Sequence, residues 1–142
     1  MFIDYGTKLA TIDGFWELFE STGWNEEYRL SKQDLATVVR NSWFHVAAYD
    51  GDRLVGYGRI VTDGLLHAMV YDLITDRDHR GRGIGSEVLS RLVKECMRTG
   101  IRDIQLFCAR GQRAFYEKRG FKARDEEGPG MDYVGVKSGP LT

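Results

Sequence analysis

The sequence predicts an α/β protein of the α+β type: a mixed, mostly antiparallel central sheet with helices packed on it. Three observations predict it. Two β-rich runs flank Asp50-Gly51-Asp52, the mark of a hairpin and so of antiparallel neighbours. The apolar run LLHAMVYDLIT passes through a glycine-rich turn into a helical pattern and then into another strand-like run, which makes one crossover connection. The element order reads β-α-α-β-β-β-α-β-α-β-β, not the regular alternation of a doubly wound parallel sheet.

FIDY reads as a short first strand. TIDGFWELFESTG reads as a helix, because Ile12, Phe15, Trp16 and Phe19 recur at helical spacing and Gly23 suits its end. SKQDLATVVRNS reads as a second helix: Ser31 can cap it, Asp34 favours its first turn, and Leu35, Val38 and Val39 share a face. The hairpin spans WFHVAAYDGDRLVGYGRIV, and Thr62 to Gly64 marks the next turn. LLHAMVYDLIT is apolar on both faces except at His67 and Asp72, as in a buried strand. In the following helix Ile84, Val88, Leu92 and Cys96 line one face, and Gly100 closes it. IRDIQLFCA is predicted as a strand and QRAFYEKRG as a short helix. FKARDEE and MDYVGV are predicted as a final strand pair around Gly128-Pro129-Gly130.

The chain has 142 residues, enough for one domain with a real core, so a single domain over 1–142 is expected, with about 137–142 as a flexible tail. Twenty basic and 21 acidic residues give a net charge of −1, so no global basic field points to a nucleic-acid partner. No run is long and apolar enough for a membrane span, and MFIDYGTKLATIDG turns polar too soon for a signal segment. Cys96 and Cys108 are too few for a disulfide framework and lack metal-ligand spacing. A cytoplasmic protein with reduced thiols and no metal is expected.

The chemistry concentrates in HRGRGIGSEVL, His79–Leu89, where Gly81, Gly83 and Gly85 alternate with other residues between a strand and a helix. A helix N-terminus leaves its first amides unpaired and carries partial positive charge. Glycines let backbone approach a phosphate closely, and Arg80 and Arg82 add full charges, so the turn is suited to a pyrophosphate. A plain glycine-rich loop with exposed arginines fits the same glycines equally well. A nucleoside triphosphate loop would need Gly-Lys-Ser/Thr, which is missing. Gly81-x-Gly83-x-x-Ser86 nearly fits a dinucleotide fingerprint, but it follows a hairpin past mid-chain instead of opening a βαβ unit.

Arg80-Gly81-Arg82-Gly83-Ile84-Gly85 resembles the R/Q-x-x-G-x-G/A acyl-CoA loop of the GNAT (GCN5-related N-acetyltransferase) superfamily. Downstream, AFYEKRGF, Ala114–Phe121, is similar to that family's F-Y-E-K-x-G-F segment. The two motifs occur in the family's order, and the element order matches as well. The resemblance implies the GNAT fold, with a splayed parallel strand pair and helices on both sheet faces. It implies acetyl-CoA as cosubstrate, no metal, and acetyl transfer to a primary amine by direct attack in a ternary complex. Many members are homodimers, a state that no residue here decides.

Residue by residue, the resemblance places Leu73, Ile74 and Thr75 on the splayed strand, where free backbone groups pair with the pantetheine arm. The same amides would stabilise a tetrahedral oxyanion. Arg80, Gly81, Arg82, Gly83, Ile84, Gly85 and Ser86 would hold the pyrophosphate. Tyr116 matches the tyrosine that protonates the leaving thiolate. Asp72 occupies a position often acidic in the family and is the leading candidate base, since burial makes a carboxylate a stronger base. A carboxylate satisfied by a neighbouring Arg is the alternative. His67 is the second candidate, although five residues' separation puts it on the opposite strand face from Asp72. His45 and His79 read as ordinary strand and loop residues.

Two departures from the family pattern stand out. Arg77 occupies a place where proline is frequent, and Ala109-Arg110 replaces a frequent Asn before the FY helix, leaving Arg110 or Lys118 to meet phosphate instead. The first two helices usually wall the acceptor pocket, and of their aromatics Trp24, within STGWNEE, is least explained by packing. With Glu26 and Glu27 beside it, a small amine with an apolar or aromatic body is the expected acceptor. GRIVTDGLLHAMVYDLIT broadly resembles bacterial and plant members of the arylalkylamine (serotonin-type) group. A protein or peptide acceptor, or an acyl-CoA-binding regulator without turnover, are the alternatives.

Overall fold

A computed structural model of the chain describes residues 2–137, so the expected tail lies, from residue 138 onward, outside the described residues. The chain divides into two compact units, Met1–Leu106 and Phe107–Thr142.

The first unit is built on a five-stranded sheet ordered β1 (Asp4–Gly6), β2 (Phe44–Asp50), β3 (Arg53–Thr62), β4 (His67–Thr75), β5 (Asp103–Leu106). β1 to β4 are antiparallel neighbours and β4–β5 is the parallel pair. α1 (Ile12–Glu20), α2 (Asn25–Tyr28) and α3 (Lys32–Arg40) precede the hairpin, and α4 (Ile84–Thr99) forms the crossover.

One sheet face packs on α1 and α3. Phe15, Leu18, Phe19, Leu35, Ala47, Leu54, Tyr57 and Ile74 form its core, and the rings of Phe15 and Tyr57 lie 4.1 Å apart. Burying each such side chain contributes about 1.5–3 kcal/mol. The other face packs on α4, whose Ile84, Val88, Leu89, Leu92 and Cys96 are buried, the face predicted from spacing with the Leu89 beside it. Gly56 and Gly58 of β3 make room for it. A Cβ at Gly56 would stand 2.6 Å from Ile84 Cγ2, and one at Gly58 would stand 2.7 Å from Leu92 Cδ1.

Local chemistry sets the helix ends. Ser31 accepts from the Asp34 amide and the Asp34 carboxylate accepts from the Ser31 amide, a complete capping box for α3. Gly100, at φ 84°, ends α4 in the left-handed conformation. The four-residue α2 was not anticipated. It stops at Arg29, at φ 57°, and the Asn25 amide group bonds both N–H and C=O of Leu30 and the Glu20 carboxylate.

The second unit holds α5 (Arg113–Glu117) and the single turn α6 (Val134–Lys137). Among its described residues there is no strand, which corrects the expected final pair. Local bonds win there. Asp125 accepts from the Gly128 and Glu127 amides, and Arg124 donates to the Gly128 carbonyl, closing a turn inside the segment expected to extend.

Candidate functional site

β4 is longer than its parallel partner. The ladder runs from His67↔Asp103 to Val70↔Leu106 and stops, while β4 continues to Thr75. Tyr71–Thr75 pairs with β3 on one side and, among the described residues, with no strand on the other. This is the segment that contains Leu73, Ile74 and Thr75.

A bulge lies within it. Tyr57 is opposite Ile74 and Arg59 opposite Tyr71, so Gly58 alone faces both Asp72 and Leu73. Asp72 takes φ 52°, a left-handed conformation rare for residues with side chains but commonest among them for Asp and Asn. Strict alternation had put His67 and Asp72 on opposite faces. The bulge cancels it: Asp72 turns to the side of Tyr71, which shares its face with His67. Arg59 lies over the Tyr71 ring and donates from Nε to Asp72 Oδ2 at 2.7 Å. The Asp72 carboxylate thus has a neighbouring arginine as its partner.

Arg59 also donates to Ser42 Oγ at 3.1 Å, and beside it His45 Nδ1 hydrogen-bonds the Tyr57 hydroxyl. Burial, and then the Arg59 charge, hold the His45 pKa below its ordinary value, so its imidazole is neutral near pH 7. Burial likewise pushes the Tyr57 phenol up. Neither Arg59 nor this pair was singled out from sequence. Only the register that aligns Arg59 with Tyr71 exposes them.

β4 leads through a 3₁₀ turn, Arg77–His79, into the glycine turn. Arg80, Gly81, Arg82 and Gly83 are exposed, between buried His79 and buried Ile84. Gly81 and Gly83 take φ 77° and 80°, with open space where a Cβ would lie. These are conformations only glycine adopts cheaply. Gly83 is the N-cap of the 16-residue α4 and brings no capping side chain of its own, so the glycine turn leads directly into the α4 N-terminus. The helix N-terminus with its dipole and two exposed arginines fits an anionic diphosphate, and the strand edge beyond the end of the β4–β5 ladder fits an extended amide-bearing arm.

His79, read from sequence as an ordinary loop residue, is 8% exposed, and its two ring nitrogens face two carboxylates. Its partners, Asp50 and Asp76, are distant from each other in sequence, and only the folded hairpin brings them together.

The remaining candidates lie elsewhere. His67, at the far end of β4 from Thr75, is exposed and bonds Asp103 Oδ2 at 2.9 Å. Trp24 opens α2, 40% exposed, with its ring edge-on to Phe19. In the second unit, Tyr116 sits on α5 with its ring edge-on to Phe115 and Phe121. Burial, with a smaller contribution from Cys108, raises its phenol pKa, so it stays protonated through neutral pH. Among the described residues no cluster of three metal-ligating side chains occurs, and no helix is long and apolar enough to cross a membrane.

Comparison with known proteins agrees with this architecture. The family model described as the acetyltransferase (GNAT) family matches residues 9–121. The uncharacterized N-acetyltransferase ycf52 of Porphyra purpurea is 34% identical over 126 residues, covering 86% of this chain and 70% of that protein. Histone acetyltransferase TAP1 of Glycine max is 27% identical over 125 residues, covering 80% of this chain. The chain spans about half of that soybean protein's length, 53%. A GNAT-family acetyltransferase structure from Streptococcus pneumoniae TIGR4 superposes with a TM-score of 0.74 at 22% identity, covering 93% of this chain and 97% of that one, and so supports the fold. With its family pattern, its mixed five-stranded sheet and its opened parallel pair all in agreement, the chain belongs to the GNAT acetyltransferase family.

Proposed function

We propose that this chain transfers an acetyl group from acetyl-CoA to the primary amine of a small molecule, by direct attack in a ternary complex. The observation that carries the reading is the β4 edge past Val70, which has no partner strand on that side among the described residues and leads through a short turn into a glycine-lined helix N-terminus. Acetyl-CoA supplies the activated acyl group. The amides and arginines of residues 80–86 hold the diphosphate, and the edge amides of Leu73–Thr75 pair with the pantetheine arm and face the carbonyl oxygen as charge builds on it. Asp72, held in place by Arg59, draws the incoming ammonium and accepts or relays its proton. As nitrogen bonds to the acyl carbon and the carbon–sulfur bond breaks, Tyr116 gives its phenolic proton to the sulfur. His67, committed to Asp103, is assigned no role.

Trp24, exposed beside Glu26 and Glu27, supports an acceptor with an apolar body and a cationic amine. A protein acceptor is the second reading, favoured by the soybean relative's name. A reducing compartment such as the cytoplasm suits the two free thiols. A homodimer remains part of the proposal.

Release of free thiol from acetyl-CoA, followed across a panel of small amines and N-terminal peptides, tests the function. Arylalkylamines should be turned over fastest. Peptides preferred over every small amine would favour the second reading, and no release with any acceptor would sink both. Arg82→Glu should raise the dissociation constant of coenzyme A by about ten-fold or more, since it places a like charge beside phosphate. Its melting temperature should stay within a few degrees of the parent's, as for most exposed substitutions. An unchanged dissociation constant would remove the loop assignment.

A further inference from the structure

His79 Nδ1 lies 2.7 Å from Asp76 Oδ2, and its Nε2 lies 3.0 Å from Asp50 Oδ2. A neutral imidazole has one N–H and one lone pair, so it can donate to only one of these carboxylates and would turn a lone pair on the other. The imidazolium donates to both. Arg53 reaches the other oxygen of Asp76 at 3.0 Å. Asp50 and Arg53 are themselves partners across the β2–β3 hairpin. Arg53, Asp76, His79 and Asp50 thus form a chain of alternating charge whose ends are joined by the hairpin backbone. The Asp76 amide also donates to the Val55 carbonyl at 2.8 Å, fixing the point where β4 ends. The exposed glycine turn begins at Arg80, the residue after His79.

We propose that His79 is a positioning residue for the cofactor: as an imidazolium it ties the hairpin turn to the entrance of the glycine turn and keeps that turn in the shape that receives a diphosphate. The inference rests on the reading of this turn as the coenzyme A site. An anchored turn meets its ligand already ordered, whereas a loosened one must be ordered on binding, which weakens apparent affinity by the fraction in the competent shape.

The charged groups that face the ring are Asp50 from β2 and Asp76 from the end of β4, with Arg53 of β3 on the far side of Asp76 and Arg77, Asp78 and Arg80 flanking in its own segment. The Asp50 contact, then the Asp76 contact, hold the imidazole pKa above its ordinary 6.5. Burial pushes Asp76 up, but the His79 hydrogen bond and the Arg53 charge outweigh it and hold Asp76 below its ordinary value. A raised histidine pKa gives a contribution that is complete below about 6.5 and lost as pH climbs through the folded value. A lowered Asp76 gives one that is complete above about 3.9 and lost on acidification through its folded value. The circuit is therefore whole between about pH 3.9 and about pH 6.5 and opens as pH climbs through the folded value of His79.

The test is calorimetric titration of coenzyme A into the full chain, its His79→Gln and its Asp50→Asn variants, at pH 6.5 and pH 9, together with ¹⁵N NMR of the wild-type imidazoles. At pH 6.5 His79→Gln should bind about ten-fold more weakly, the equivalent of about 1.4 kcal/mol. That ratio should contract toward one at pH 9 as the wild-type imidazolium loses its proton, the cofactor's own ionisations being common to both proteins and cancelling in the ratio. The KM for acetyl-CoA should rise with it while kcat at saturation stays within about two-fold. Asp50→Asn should weaken binding less and move the loss of affinity to lower pH. The wild-type His79 ring should carry protons on both nitrogens at pH 7. Equal affinities at pH 6.5, a ratio that does not change with pH, or a ring with one bare nitrogen at pH 7 would each overturn the inference. Should His79→Gln fail to fold, Asp50→Asn and the wild-type spectrum decide. A wild-type chain that binds no coenzyme A removes the site reading itself, whereas one that binds it indifferently to His79 removes only this inference.

Discussion

Tyr116→Phe should lower turnover by about two orders of magnitude or more while leaving coenzyme A affinity within about two-fold, the range expected when one positioned proton donor is lost. The substitution is conservative in packing. The ring sits edge-on to Phe115 at 5.1 Å and to Phe121 at 5.9 Å, and phenylalanine keeps both contacts. What it removes is a hydroxyl that burial keeps protonated at neutral pH. A thiolate is a poor leaving group without that proton, so the loss should fall on kcat and not on binding. It should also shrink for acyl donors whose thiols are more acidic and leave unaided. Steady-state rates at saturating donor, set beside calorimetric binding, check this. A variant that turns over like the parent would take the role from Tyr116.

Gly56→Val should destabilise the fold by about 1–3 kcal/mol, the usual cost of overfilling a packed core. The melting temperature should drop by several degrees and coenzyme A affinity should fall with it. The new Cβ would lie 2.6 Å from Ile84 Cγ2 and 3.2 Å from Ala48 Cβ. Neither neighbour can swing aside, because Ile84 branches at its own Cβ and Ala48 has nothing to rotate. Relief must come from α4 moving off the sheet. Ile84 is the first residue of α4, so the displacement lands on the amides that face the glycine turn. Gly81→Ala is the contrast: its Cβ meets open space, and only the backbone conformation at φ 77° resists it. A Gly56→Val protein that melts and binds like the parent would show that α4 does not press on β3 as described.

The parts of this architecture written in neighbouring residues were legible. Ser31 and Asp34 stand three apart and form the capping box their spacing promised. Ile84, Val88, Leu92 and Cys96 repeat with the helix and are buried together. Asp50-Gly51-Asp52 turns the chain where it should. What escaped depends on partners far away in sequence. Alternation along β4 gives no hint that Gly58 faces two residues at once, so the orientation of Asp72 came out reversed relative to His67. His79 looks ordinary until the hairpin delivers Asp50 to it. The expected last strands failed for the opposite reason: Asp125 and Arg124 satisfy the backbone within a few residues, and among the described residues no partner strand competes. At the glycine turn, residue types and order carried the anion reading, and the resemblance singled out coenzyme A. The ladder that ends at Leu106 supplies the opening beside the turn, which the residues alone could not show.

The left-handed backbone at residue 72 has a bearing on how related chains are read. Only a narrow alphabet sits comfortably in that conformation, with glycine, asparagine and aspartate at its head. Where a relative shares the kink, an acid at the matching place is favoured by the backbone as well as by any appetite for protons. Tallying such acids across many sequences would overstate how often the family's chemistry runs through them.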